Sequence, residues 1–313
     1  MNAELPRLPR GSVVTVGAFD GLHIGHHAVL DAVVSRARAA GRASVVVSFE
    51  PHPAAVVRPA QAPPRLTVGA ERLELLALAG LDYALILRFD REMARWTPEE
   101  FVRRVVLDRC QCRELVVGHD HHFGRDRAGG EALLREMGRH EGFEVAAVRP
   151  TELDGTPVSS TRIRHLVEAG DLDTAARCLG RRYSVTGVVE RGVARGRQLG
   201  VPTANLAVPE GKLLPPDGVY AVRVEWGGGV ADGVANQGTR PTFGDGRRLL
   251  EAHLLDFDGD LYGRPIRVSW VAPLREVRRF DSVVALQEQL ERDRQAARAA
   301  LAAASAAPGH HRV

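Results

Sequence analysis

His23 and His26 are the first residues of this chain with the means to do chemistry. They close the ten-residue stretch Gly17 to His26, GAFDGLHIGH, which carries glycines at 17, 21 and 25. Glycine lets backbone approach a ligand closely, and a helix N-terminus offers unpaired N–H groups to an anion. Histidines three apart share a helical face, so a phosphate held at this turn meets two imidazoles and a helix dipole together. A second anion site follows from Ser159-Ser160-Thr161-Arg162-Ile163-Arg164, with hydroxyls at a helix start and Arg164 one turn in. A third constellation runs through Gly192, Gly196 and Arg197 into Pro202-Thr203-Ala204-Asn205. It suits either a phosphate-cradling loop with Thr203 and Asn205 at a magnesium ion, or a glycine-rich hairpin with a structural turn. Glu251, in LLEAHLLDF, is either a cross-strand partner or a base. His119, His121 and His122 with Asp120 could be read as a metal site. Adjacent residues of an extended segment point apart and no fourth ligand is suitably spaced, so a ligand-facing loop with Asp120 and Phe123 turned inward is preferred.

These groups need elements to hold them. The run Ser12 to Val16, SVVTV, reads as a buried strand, and Ala28 to Ala40 as a helix stopped by Gly41. Further strands are expected at 43–49, 83–87, 114–117 and 144–148, with helices between them, including one capped by Thr97-Pro98-Glu99-Glu100. Alternating strands and helices predict a doubly wound parallel α/β sheet, with ligands at the carboxyl ends of its strands. From Tyr183 the pattern changes to short β-type segments punctuated by glycine and proline, and helical period returns only from about Ser282 to Ala304. This predicts a small antiparallel β-barrel with a C-terminal helix. The expected domains are 1–181 and 182–305, with a tail over 306–313.

Composition narrows the function classes. The 313 residues carry a net charge of +3, dispersed, and aromatics make up 5%, which leaves little for nucleic-acid binding. Lys212 is the only lysine. Three cysteines, two of them one residue apart, do not form a disulfide framework, and no apolar run approaches membrane-spanning length. A cytoplasmic protein acting on small phosphate ligands is expected, with no nucleic-acid or membrane partner. Neither GxxxxGK[ST] nor GxGxxG occurs in the first βα turn.

HxGH at a strand-to-helix turn resembles the signature of the nucleotidyltransferase superfamily; a single lysine cannot supply the lysine-rich loop of class I aminoacyl-tRNA synthetases. GAFDGLHIGH, FEPHP, GHDHHFG, SSTRIR, GRQLGVPTANL, LLPPDGVYAV, ANQGTRPTF, EAHLLDFDGDLYG and REVRRF, in that order from about Val13 to Arg298, resemble the bacterial bifunctional riboflavin kinase and FAD synthetase family. The resemblance implies an N-terminal FMN adenylyltransferase domain of nucleotidyltransferase type and a C-terminal riboflavin kinase barrel, both using ATP and Mg2+. It implies that Gly17, Ala18, Phe19, His23, His26, Ser160, Thr161 and Arg164 bind ATP in the first domain, with His23, His26 and Arg164 catalytic. In the second, Gly192, Gly196, Arg197, Thr203 and Asn205 would bind ATP, Thr203 and Asn205 the metal, and Glu251 would be the base. His52, Asp120, Phe123, Arg275 and Glu276 would lie at flavin (riboflavin, FMN or FAD). The chain departs from the family pattern at His121, Val201 and Gln237, which leaves a monofunctional adenylyltransferase with an impaired kinase barrel as the alternative. Oligomeric state is not legible.

Overall fold

The computed structural model describes residues 5–118, 129–191, 202–239 and 248–306. The chain divides into two compact units, one of Met1–Pro64 and Arg72–Ser160, the other of Arg65–Glu71 and Thr161–Val313.

The first unit is built on five parallel strands, β1 (Ser12–Val16), β2 (Ala43–Glu50), β3 (Tyr83–Arg88), β4 (Cys112–Gly118) and β5 (Glu144–Val148), in the order β3-β2-β1-β4-β5. The near-continuous apolar runs of β1, β2 and β4 match burial on both faces, as parallel sheets require. Val14, Val16, Val45, Val47, Leu115 and Val117 share one core with Phe101, Leu134 and Phe143. Val13 and Val116 face the other way, onto Val29, Val33 and Ala37 of α1 (Ile24–Ala40). That helix begins four residues earlier than its apolar period announces and ends on Gly41 in the left-handed conformation. Short α2 (Pro53–Val57) follows β2, and α3 (Ala70–Ala77) precedes β3. The expected capping box opens α4 (Pro98–Phe101), which runs on as a π-helical stretch over Val102–Leu107. Between β4 and β5 lies α5 (Glu131–Glu141). Strand order reverses between β1 and β4, so the crevice at their carboxyl ends is the topological switch point where such sheets bind ligands. After β5 comes a small hairpin, β6 (Glu152–Leu153) with β7 (Thr156–Pro157).

Helices α6 (Ser160–Glu168) and α7 (Leu172–Leu179) lead into a closed antiparallel barrel. Its strands are β8 (Ser184–Glu190), β9 (Ala204–Ala207), β10 (Gly218–Trp226), β11 (Gly229–Thr239), β12 (Arg248–Leu254) and β13 (Pro265–Arg275), ordered β10-β11-β12-β9-β8-β13. Closure removes exposed edges. The long helix α8 (Val283–Ala306) packs Ala297 and Leu301 onto Val219, Ala221, Val234, Leu255 and Val271.

The second unit also takes in a segment that the sequence assigns to the first half. Arg65 bridges to Lys212 in parallel, with Arg65 N donating to Gly211 O at 2.7 Å and Leu213 N to Arg65 O at 2.8 Å. Lys212, the sole lysine, is buried there. Its Nζ lies 2.7 Å from Glu71 Oε2, 2.7 Å from Leu66 O and 4.8 Å from the centre of the Tyr183 ring. Glu71 Oε1 accepts from Thr186 N at 2.6 Å. Burial pulls the nearby Arg181 guanidinium down to about 10, against the attraction of Glu71.

Candidate active sites

The turn after β1 is held in a strained shape. Phe19 and Leu22 are non-glycine residues at φ of 49° and 36°, and Gly21 stands at 85°. Such conformations cost energy and persist where the surroundings fix them. Here the Phe19 and Leu22 side chains are buried with Leu30, Val46 and Leu76. Phe19, expected at ATP, therefore spends its ring on the core and on an edge contact to His26, with centroids 5.1 Å apart. A Cβ on Gly17 would lie 3.0 Å from the Phe19 ring, so any larger residue there would press on that ring. Ala18 offers its carbonyl to Arg72 Nη1 at 3.2 Å.

His23 is not on the helix, as its spacing suggested, but is the N-cap of α1. Its Nδ1 accepts from His26 N at 3.3 Å, so that nitrogen carries no proton and the ring's N–H is at Nε2. The two imidazoles nonetheless come together, stacked with centroids 3.6 Å apart and 17° between planes. Gly25 makes room for this, since a Cβ would sit 3.2 Å from His23 Nδ1. Ser160 Oγ donates to Asp20 O at 2.9 Å, which ties the start of α6 to the same turn. Thr161 and Arg164 follow on α6, with Arg164 Nη2 donating to Thr161 Oγ1 at 3.2 Å.

Sequence reading missed Arg72. An arginine in an amphipathic helix reads as solvated, yet this one is 1% exposed. Its Nη2 donates to Glu50 Oε2 at 2.6 Å, so one guanidinium joins the turn after β1 to the end of β2. His52, expected at flavin, caps α2 by accepting from Ala54 N at 3.1 Å. Asp120, His121 and Phe123 lie outside the described residues, as do His119 and His122.

In the barrel, β9 pairs with β12 so that Asn205 stands opposite Glu251, and β11 places Asn236 on its other side. Asn205, Glu251 and Asn236 therefore form one row across three adjacent strands. Asn205 Oδ1 is buried with no partner among the described residues, an acceptor that suits a cation or a donor from a ligand. The Thr-Ala-Asn step, which the sequence left as either a ligand loop or a structural turn, is the entry to β9. His253 lies two residues beyond Glu251, with Nδ1 2.9 Å from Pro202 O. Burial holds its pKa below the usual histidine value, with the bond to Pro202 opposing and the Arg294 charge adding. Gly192, Gly196, Arg197 and Val201 lie outside the described residues.

Arg275, expected at flavin, is engaged within the barrel unit. Its Nε and Nη2 donate to Asp293 of α8 at 2.9 and 2.7 Å, and its Nη1 donates to Glu276 O at 3.0 Å. The Glu276 side chain is exposed. Gln237 is fully buried, and its Nε2 donates to Pro215 O at 2.6 Å and Pro216 O at 3.0 Å. The departure at 237 thus fastens the Pro215-Pro216 segment. Among the described residues no group of three His, Cys, Asp or Glu side chains could hold a metal, and no helix is long and apolar enough to cross a membrane.

Two family models match the chain, FAD synthetase over residues 5–162 and riboflavin kinase over residues 179–301. Among curated relatives, a bifunctional riboflavin kinase/FMN adenylyltransferase from Pseudomonas fluorescens is 43% identical over 97% of this chain and 96% of its own. One of the same description from Escherichia coli K12 is 38% identical, covering 92% of each. A crystal structure from Streptococcus pneumoniae, described as a macrolide-efflux protein, is 33% identical with a TM-score of 0.82 and covers 93% of this chain and 94% of its own. The second of these models and both curated descriptions include the kinase, and none of them favours the monofunctional alternative. With a strained phosphate-type turn at the switch point of a parallel sheet, a closed six-stranded barrel behind it in sequence, and relatives alike across both, this chain belongs to the bifunctional riboflavin kinase/FMN adenylyltransferases, transferases that act on riboflavin, FMN and ATP.

Proposed function

We propose that the barrel phosphorylates riboflavin at a site built on Thr203, Asn205 and Glu251, and that the parallel-sheet unit adenylylates the FMN through the turn carrying His23 and His26. The stacked pair of imidazoles at the N-terminus of α1 is the observation that carries the second half of this reading. In adenylyl transfer an oxygen of the FMN phosphate attacks the α-phosphorus of ATP and pyrophosphate leaves. The nucleophile is already anionic, so no strong base is required, and catalysis is positioning with charge stabilisation. The Nε2–H of His23, the His26 ring and the backbone amides at the start of α1 are the donors for phosphate oxygens. Ser160, Thr161 and Arg164 are proposed as further ATP-binding residues, with Arg164 catalytic.

Riboflavin brings a neutral alcohol to the kinase. As phosphorus–oxygen bonding to the γ-phosphoryl group forms, the hydroxyl proton passes to Glu251 and ADP leaves. The buried Oδ1 of Asn205, without a partner among the described residues, fits a ligand to Mg2+, and Thr203 is proposed as a second one. Bound there, Mg2+ would neutralise phosphate charge, keeping waters in its remaining positions as that ion does. The asymmetry between the units supports this division, histidines serving an anionic nucleophile and a carboxylate serving an alcohol. Asp120, Phe123, Arg197, Gly192 and Gly196 keep their proposed ligand contacts, and the kinase is taken to begin near residue 182. The three free, buried cysteines suit a reducing cytoplasm, and neither nucleic acid nor a membrane is among the proposed partners. Incubation of the purified chain with riboflavin, ATP and Mg2+, followed by chromatography of the flavins, tests the whole. FMN then FAD is the expected sequence of products, and a mixture that stays riboflavin rejects it.

A further inference from the structure

The β9–β12 ladder stops at the residue pair Ala204–Ala252. One step further stands Thr203 and then Pro202, which has no N–H and cannot extend a ladder as a donor. At that point a side chain takes over. His253 Nδ1 lies 2.9 Å from Pro202 O, and since a carbonyl only accepts, Nδ1 carries the proton and donates. The imidazole is 8% exposed, so the bond is shielded from water. His253 and Glu251 are two apart on β12 and project from the same face. Strand β12 therefore grips the Pro202-Thr203-Ala204-Asn205 segment twice, through backbone at Ala204 to Leu206 and through His253 at Pro202. Thr203 sits between the two grips.

We propose that His253 is a positioning residue of the kinase, fixing the Pro202 carbonyl and with it the placement of Thr203 and Asn205 toward ATP. This rests on the reading of Thr203, Asn205 and Glu251 as the kinase site. His253 touches the segment and not the reacting atoms, so its effect falls on nucleotide binding before chemistry. The side chains that replace it best are not the bulkiest but those with a donor in the right place. An asparagine amide occupies about the position of Nδ1, whereas a glutamine amide reaches to that of Nε2.

The test compares His253→Asn, His253→Gln and His253→Leu in the full chain, with steady-state kinase kinetics in ATP and in riboflavin. FMN-to-FAD conversion in the same preparations reports on the integrity of the first unit. Loss of a shielded hydrogen bond, felt through ATP, raises KM for ATP about three- to tenfold. That rise is expected for Gln and Leu, with KM for riboflavin within about twofold of wild type, since riboflavin makes no use of this bond. Asn should return KM for ATP to near the wild-type value. Unchanged KM for ATP in the Leu and Gln variants overturns the proposal. So does an Asn variant no better than Gln, which would make His253 a packing residue only. Should the Leu variant fail to fold, the Asn–Gln comparison decides by itself. Thr203→Ala and Glu251→Gln are run alongside: normal kinase rates in both would reject the underlying site instead, whereas impaired rates in both with unaffected His253 variants reject only this inference.

Discussion

At the scale of residues, the histidine pair is arranged by backbone and not by helix periodicity. His23 gives up its Nδ1 lone pair to cap α1, which leaves its proton on Nε2, while its ring lies flat on His26. Removing His26 leaves the cap intact, because the bond is to the backbone N–H of position 26. His26→Ala should accordingly fold normally and lower the rate of FMN-to-FAD conversion about 10²-fold, the usual scale for one charge-stabilising donor. A rate unchanged within error would take His26 out of the site. His23→Ala removes a cap as well, so it should also cost the first unit about 1 kcal/mol of stability, read as a lower midpoint in denaturant. The spacing HxGH made the pair visible in sequence. The capping role of His23 was not visible, because three-residue spacing fits a shared helical face and a cap with its N3 residue equally well.

At the scale of elements, the strands of the first unit were legible because parallel strands buried on both faces are continuous apolar runs. β1, β2 and β4 fall where such runs occur, while the edge strands β3 and β5 are only partly covered. β9 was not, since Ala204 to Ala207 is short, polar at Asn205 and preceded by proline. Segment 65–71 was also hidden. Its partner strand segment lies some hundred and forty residues away, and no local pattern encodes the ion pair of Glu71 with Lys212. That pair is buried on both sides, so breaking it leaves a charge without compensation. Glu71→Gln should destabilise the barrel unit by about 3 kcal/mol, with Lys212→Met in the same background recovering part of the loss. Thermal or urea melts of the two variants against wild type measure this, and additive losses would mean that the pair is not coupled. A milder, acid-sensitive contribution comes from Asp82 ahead of β3. Its Oδ2 accepts from Ser44 N at 2.8 Å and Ser44 Oγ at 2.7 Å, and those bonds, backbone first, hold its carboxyl below the ordinary 3.8. A carboxyl lowered by folding stabilises above its unfolded value, and the contribution is lost as pH falls through the folded one. Asp82→Asn should therefore cost about 1 kcal/mol at pH 7, solvent exposure keeping the figure small, and nothing further near pH 2. Equal losses at both pH values would contradict the assignment.

At the scale of the whole molecule, one chain joins a parallel sheet that handles an anionic nucleophile to a closed barrel that handles an alcohol. The order of motifs carried this division in the sequence, and the resemblance named the flavin. Composition alone reached only small phosphate ligands. Burial also silences the cysteines as chemistry: Cys110 and Cys112 are enclosed, and desolvation pushes the Cys110 thiol up to about 12 and the Cys112 thiol higher still. A thiol reagent should leave both unmodified in the native protein and label them after unfolding, as mass spectrometry would read; rapid native labelling would show the first unit to open easily.

On the proposed reading, the two reactions belong to separate residues in one chain. Glu251→Gln supplies the most direct measurement, made with riboflavin and with FMN as alternative starting flavins in the presence of ATP and Mg2+. With riboflavin, neither FMN nor FAD should form; with FMN, FAD should form at the wild-type rate. Formation of FMN from riboflavin at an undiminished rate, or loss of FAD formation from FMN in a folded variant, would contradict that reading.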